Sequence, residues 1–146
     1  ISYEEKYRSD LIFMVLQAKD ALGRVPGLSD DLPDVKKNYL DKGDMFWLAI
    51  DDNDRVIGSI GYNSLPDSSE TVLHRLFVKY DKKRCGIGSA LLNTDEEHMR
   101  KNGKTICNVH LGIPKEQWLE SFSFYPAHGY KDNGDGTMSK VLIHQE

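Results

Sequence analysis

The stretch Val78-Lys79-Tyr80-Asp81-Lys82-Lys83-Arg84-Cys85-Gly86-Ile87-Gly88-Ser89-Ala90-Leu91-Leu92 decides the fold, because an apolar strand pattern there passes through basic residues into a glycine-pinned helix start. Just upstream, Val72 to Val78 is rich in β-branched and aromatic residues, as a strand is. Downstream, Ile87 and Leu91, then His98 and Met99, recur at helical spacing. Gly86 and Gly88 carry no Cβ, so the chain can turn tightly and bring its N–H groups close to a ligand. A helix N-terminus adds unpaired donors and a positive dipole end, and the whole segment reads as a phosphate cradle.

The 146 residues suffice for one core and fall short of two ordinary domains, so residues 1–146 are expected to form a single domain. With 39% hydrophobic and 29% charged residues the composition is that of a globular chain and not a disordered one. The longest apolar run, Leu11 to Leu16, is too short to span a bilayer, and no leader pattern opens the chain; no membrane partner and a cytoplasmic location are expected. A short first strand ahead of Ile1 is left open. A net charge of −4 argues against nucleic acid, and the one basic segment, Lys79 to Arg84, suits a small anion. Cys85 and Cys107 form neither a disulfide framework nor a zinc pattern, and the histidines at 98, 110, 128 and 144 lack ligand spacing, so no metal is expected.

Along the chain, Ser9 reads as the N-cap of a helix ending near Gly23. Gly23 to Asp31 has loop chemistry, and Pro33 opens a second helix to about Lys42. Met45 to Ile50 and Val56 to Tyr62 are strand-like, joined by the polar turn Asp51 to Arg55; the glycines at 58 and 61 weaken the second strand slightly. After the strand at 72–78 and the cradle, a helix runs to Asn102-Gly103, followed by a strand from Thr105 to Ile113. Lys115 to His128 reads as a helix interrupted or ended near Pro126, and a terminal hairpin turns at Asn133 to Gly136.

From about Met45 onward these motifs resemble the GNAT superfamily of acyl-CoA-dependent N-acyltransferases. The family's pyrophosphate loop, Gln/Arg-x-x-Gly-x-Gly/Ala, is matched by Lys83-Arg84-Cys85-Gly86-Ile87-Gly88, with Lys83 departing from the usual Gln or Arg. Phe124-Tyr125-Pro126-Ala127-His128-Gly129-Tyr130 is similar to the family's Phe-Tyr-x-x-x-Gly-Phe segment, whereas Trp118 and Ser121 stand where Asn and Ala are common. The resemblance implies an α/β (α+β) fold: a mixed, mostly antiparallel sheet, helices on both faces, splayed between the strands at about 72–78 and 105–113. It implies acetyl-CoA or coenzyme A as donor co-substrate, bound by Leu76, Phe77, Val78, Lys83, Arg84, Cys85, Gly86, Ile87, Gly88 and Ser89.

The resemblance also implies transfer of an acetyl group to a primary amine of a small molecule, peptide or protein by direct attack in a ternary complex. Tyr125 would protonate the departing thiolate, and backbone N–H groups near Phe77 and Val78 would stabilise the oxyanion if the strand bulges there. A protonated amine needs a proton acceptor; His74, or Glu70 through a water, are the candidates, with Arg75 facing the opposite way. A homodimer is left open. The alternative is a non-catalytic acyl-CoA-binding or sensing module. A P-loop is disfavoured because no Lys-Ser/Thr follows the glycines.

Overall fold

The strand-like runs at 45–50 and 56–62 are apolar or small almost throughout, and because successive side chains of a strand point to opposite faces, such runs build a sheet with a core on each face. The computed structural model describes residues 1–21, 34–79, 86–110 and 124–142. Strands β1 (Met45–Ile50), β2 (Val56–Ser64), β3 (Glu70–Val78), β4 (Ile106–His110), β5 (Lys131–Asp132) and β6 (Thr137–Val141) form one sheet in the order β1-β2-β3-β4-β6-β5. Every neighbouring pair is antiparallel except β3 with β4. A parallel pair needs a crossover, and helix α3 (Ile87–Lys101) supplies it.

On β1, Phe46 and Leu48 join Leu11, Met14 and Val15 of α1 (Arg8–Ala21), while Trp47 points the other way to join Leu91, Leu92 and Met99 of α3. Helices therefore cover both faces. Helix α2 (Val35–Asn38) adds Val35 to the first core, and Tyr125 and Tyr130 join the second. Among the described residues no helix is long and apolar enough to cross a membrane.

Two local expectations are corrected. Helix α1 begins one residue before Ser9, because a 3-10 turn at Glu5–Tyr7 runs straight into it and leaves no extended cap position. The second helix is a single turn: Asp34 caps it, accepting from the Lys37 N–H at 3.1 Å, and the chain passes through a 3-10 turn at Leu40–Lys42 to a stop at Gly43, φ 82°. Pro33 and the loop 23–31 lie outside the described residues. Ahead of α1, residues 1–3 run beside β1, with Tyr3 N–H donating to the Phe46 carbonyl at 2.8 Å and Leu48 N–H to Ile1 at 2.7 Å.

The glycines of β2 serve packing. A Cβ on Gly61 would lie 2.5 Å from the ring of Phe46, and one on Gly58 would lie 2.9 Å from Leu91, so Phe46 and α3 press against β2 where it lacks side chains. The α3 face also buries Glu96, which accepts from the Tyr130 hydroxyl at 3.0 Å and from Lys140 Nζ at 2.8 Å. Those two bonds tie α3 to the terminal hairpin.

Candidate active site

Along β3 the register with β2 runs Ser59↔Phe77 but Gly61↔His74, so β3 carries one extra residue. Arg75 takes a φ of 57°, and the fully buried Ser59 hydroxyl donates to its carbonyl oxygen at 2.8 Å. This is a β-bulge, and it reverses the facing of everything after it. Leu73 and Leu76 both pack into the α3 core, whereas Phe77 packs into the α1 core and the His74 ring lies 6.4 Å from Tyr39. In an unbroken strand Leu73 and Phe77 would share a face.

Among the described residues the pairing of β3 with β4 stops short of the bulge. Pairing with β4 runs from Glu70↔Ile106 to Leu73↔Val109, and residues 74–78 have no β4 partner among the described residues. Lys79 N–H donates to the Ile57 carbonyl at 2.7 Å, so the alternation of an antiparallel ladder turns the Val78 N–H and C=O away from β2. The same alternation turns the Phe77 amide toward β2. Of the two amides expected to face a developing oxyanion, Val78's is the one aimed away from β2.

Helix α3 follows β3 in the chain. Gly86, φ 79°, holds the N-cap position with no side-chain cap bond, and a Cβ there would meet nothing within 4 Å. Among the described residues no N-cap side chain competes for the first-turn N–H groups, the arrangement that suits an anion. A Cβ on Gly88 would lie 3.4 Å from the Phe124 ring and 3.7 Å from Val78, so the end of β3, the start of α3 and the segment carrying Tyr125 converge on this glycine. Ile87 is partly buried against the α3 core. The Ser89 hydroxyl is 2.8 Å from Nε2 of His128. Lys83, Arg84 and Cys85 lie outside the described residues, as do Trp118 and Ser121.

Residues 124–127 are helical, and the turn continues through Pro126 to Ala127. The stop is Gly129, φ 92°: Tyr130 N–H donates to the Tyr125 carbonyl at 3.0 Å and Gly129 N–H to Pro126 at 3.1 Å, the two bonds of a Schellman cap. Tyr125 and Tyr130, which stand at the two positions where such a cap places an apolar contact, pack with ring centroids 5.4 Å apart. The helix thus ends at Ala127, near Pro126 as expected, and glycine makes the stop because it enters the left-handed region without strain. The Tyr-x-x-x-Gly-Tyr spacing is thus a device that fixes the Tyr125 side chain, which is 6% exposed.

Glu70 and His74 share the α1 face of the sheet but not one spot, since four strand residues span about 13 Å. His74 adjoins the bulge. Glu70 accepts from Asn108 Nδ2 at 3.2 Å, and Asn108 Oδ1 accepts from Ser139 at 2.6 Å, a polar ladder across β3, β4 and β6. Cys107 is fully buried, and burial pushes its thiol up to about 12, so it offers no nucleophile. Sequence reading missed Ser59, His128 and Asn108. A lone serine inside an apolar strand was the available signal for Ser59; the other two depend on partners distant in the chain.

The family model described as "Acetyltransferase (GNAT) family" matches residues 13–130. An acetyltransferase of the GNAT family from Staphylococcus aureus Mu50 superposes with a TM-score of 0.87 at 23% identity, covering 98% of each chain. An aminoglycoside 6'-N-acetyltransferase complexed with coenzyme A has a TM-score of 0.73 at 16% identity, covering 100% of this chain and 98% of its own. The ribosomal-protein-S18-alanine N-acetyltransferase of Escherichia coli gives 0.76 at 14% identity, covering 100% and 94%. No curated protein matches the chain.

Proposed function

The chain belongs to the acetyltransferase (GNAT) family, an acetyl-CoA-dependent N-acetyltransferase family, and from that premise we propose that it acetylates a primary amine of a small molecule, peptide or protein by direct attack in a ternary complex. The observation that carries this reading is the bulge at Arg75 together with the end of β3, where among the described residues the pairing with β4 stops at Leu73, leading to a start of α3 without a side-chain cap bond. A pantetheine arm pairs along such a strand end, and a pyrophosphate accepts from such a helix start. The neighbours named above act on an aminoglycoside and on ribosomal-protein-S18 alanine, acceptors too different to select one here.

In the proposed reaction the amine nitrogen bonds to the thioester carbon while the carbon–sulfur bond breaks. The Val78 N–H faces the oxygen that gains charge, the Tyr125 hydroxyl gives its proton to the departing sulfur, and His74 takes the amine proton directly or through water. Glu70, one strand segment away and bonded to Asn108, shapes the acceptor side by its charge.

Thermal denaturation with acetyl-CoA, CoA, ATP and NAD tests the donor assignment. A ligand at 100 times its Kd adds about 2.7 kcal/mol of stability by mass action. Shifts with acetyl-CoA and CoA alone are expected; none at saturation, or equal shifts with ATP and NAD, would remove it. Acetylation of members of an amine panel then distinguishes transfer from mere binding.

A further inference from the structure

Two hydrogen bonds made by one imidazole join the start of α3 to the segment that carries Tyr125. His128 Nδ1 lies 2.8 Å from the Phe124 carbonyl oxygen, and its Nε2 lies 2.8 Å from the Ser89 hydroxyl. A carbonyl oxygen only accepts, so Nδ1 carries the hydrogen. In the neutral ring Nε2 is then a bare acceptor, and the Ser89 O–H donates to it. The Ser89 hydroxyl hydrogen is thereby committed to His128, leaving backbone N–H groups as the donors of the first turn.

Ring contacts support the same link. Phe124 and His128 have centroids 4.3 Å apart, and the Phe124 ring also covers Gly88. His128 sits at the C-cap of the Schellman motif, where it satisfies one of the carbonyls that every helix end leaves open. A leucine there would pack as well, but would make neither bond. The imidazole spans two elements whose relative position matters for the chemistry: α3, whose start would hold the pyrophosphate, and the turn holding the phenol that must reach the sulfur.

We propose that His128 is a positioning residue for the acetyl transfer: bridging Ser89 and Phe124, it fixes Tyr125 relative to the cofactor cradle. The proposal rests on the reading of Tyr125 as proton donor. It assigns His128 no contact with substrate; its effect passes wholly through Tyr125. A displacement of about 1 Å at a reacting group can cost a hundredfold in rate, so a bridge of two short bonds is worth keeping.

A double-mutant cycle on the full chain tests this, with CoA release from acetyl-CoA measured in the presence of n-butylamine as probe acceptor and CoA affinity measured by calorimetry. His128→Phe keeps a ring against Phe124 and removes both bonds. Turnover is expected to fall about tenfold or more with the CoA Kd within about twofold of wild type, and His128→Phe is expected to add nothing in a Tyr125→Phe background. Equal losses in both backgrounds, or a Kd that rises in step with the loss of turnover, would overturn the proposal while leaving Tyr125 as the acid. A Tyr125→Phe variant as active as wild type would remove the Tyr125 reading itself and the bridge with it. Should His128→Phe fail to fold, Ser89→Ala breaks the same bond from its other end. As a readout without turnover, Ser89→Ala should shift the ring resonances of labelled Tyr125 in the CoA complex; unchanged signals would also overturn the bridge.

Discussion

The buried hydroxyl of Ser59 donates a 2.8 Å hydrogen bond to the carbonyl oxygen of Arg75, the residue whose φ of 57° makes the bulge in β3. An extra residue breaks the ladder locally, and Ser59 supplies a donor at the break. Ser59→Ala takes that donor away inside the core, at a cost of roughly 1–3 kcal/mol. The bulge also sets which β3 groups face away from β2, so acetyl-CoA binding should weaken along with stability. Denaturant melts and calorimetry read the two effects; a variant unchanged in both would mean the bulge is held elsewhere.

Gly61→Ala separates two physical effects of opposite sign. Restricting the unfolded chain would stabilise the protein by about 0.4–1 kcal/mol if the added methyl fitted. Here that methyl lies 2.5 Å from Phe46 Cδ2 and 3.1 Å from Tyr39, inside a core where Phe46 is fully buried. Destabilisation by about 1–3 kcal/mol is expected from overpacking. Gly58→Ala meets the flexible end of Leu91 at 2.9 Å and should cost less. A stabilised Gly61→Ala in a thermal melt would show that Phe46 can move aside.

These glycines mark the limit of what the chain discloses without its partners. The β-strand pattern and the α3 start were legible, because apolar period and glycine placement are local. The function of Gly61 was not, since the ring that needs the space is fifteen residues away on β1. The bulge entered only as a condition set by the family resemblance, and its place at Arg75 was hidden: register is a relation between strands, and nothing in Leu73 to Val78 alone says that β3 carries one extra residue. In the candidate site, Tyr125 and Gly86 were singled out through motifs, whereas Ser59 and His128 act only through bonds that folding creates.

Asp95 is fully buried on α3, and neither carboxylate oxygen has a hydrogen-bond partner among the described residues. Burial first, and the charge of Glu96 second, hold its pKa well above the usual carboxylate value. The folded state therefore keeps a proton that the unfolded state gives up near pH 4. Stability must fall as the pH rises from about 4 toward the folded-state value, because over that window the native chain binds more protons. Asp95→Asn removes this slope. The variant should be more stable than wild type at neutral pH, by about 1–3 kcal/mol, with the difference shrinking toward pH 4. Parallel stability–pH curves for the two proteins would show that Asp95 is ionised in the fold.

Tyr125→Phe keeps the ring between Phe124 and Tyr130, at centroid distances of 5.3 and 5.4 Å, and deletes only the O–H. Packing is conserved, so the melting temperature and CoA affinity should change little. Turnover should fall by about a hundredfold or more, as for the loss of a general acid. A second measurement tells an acid from a mere contact, because a proton donor matters most when the leaving thiolate is basic. Acetyl thioesters of progressively more acidic thiols, built on the same pantetheine frame, should restore the variant step by step toward wild type. A deficit that stays constant across the series would mean that the hydroxyl orients the donor without protonating it, and one that appears equally in CoA affinity would return Tyr125 to the core as a packing residue.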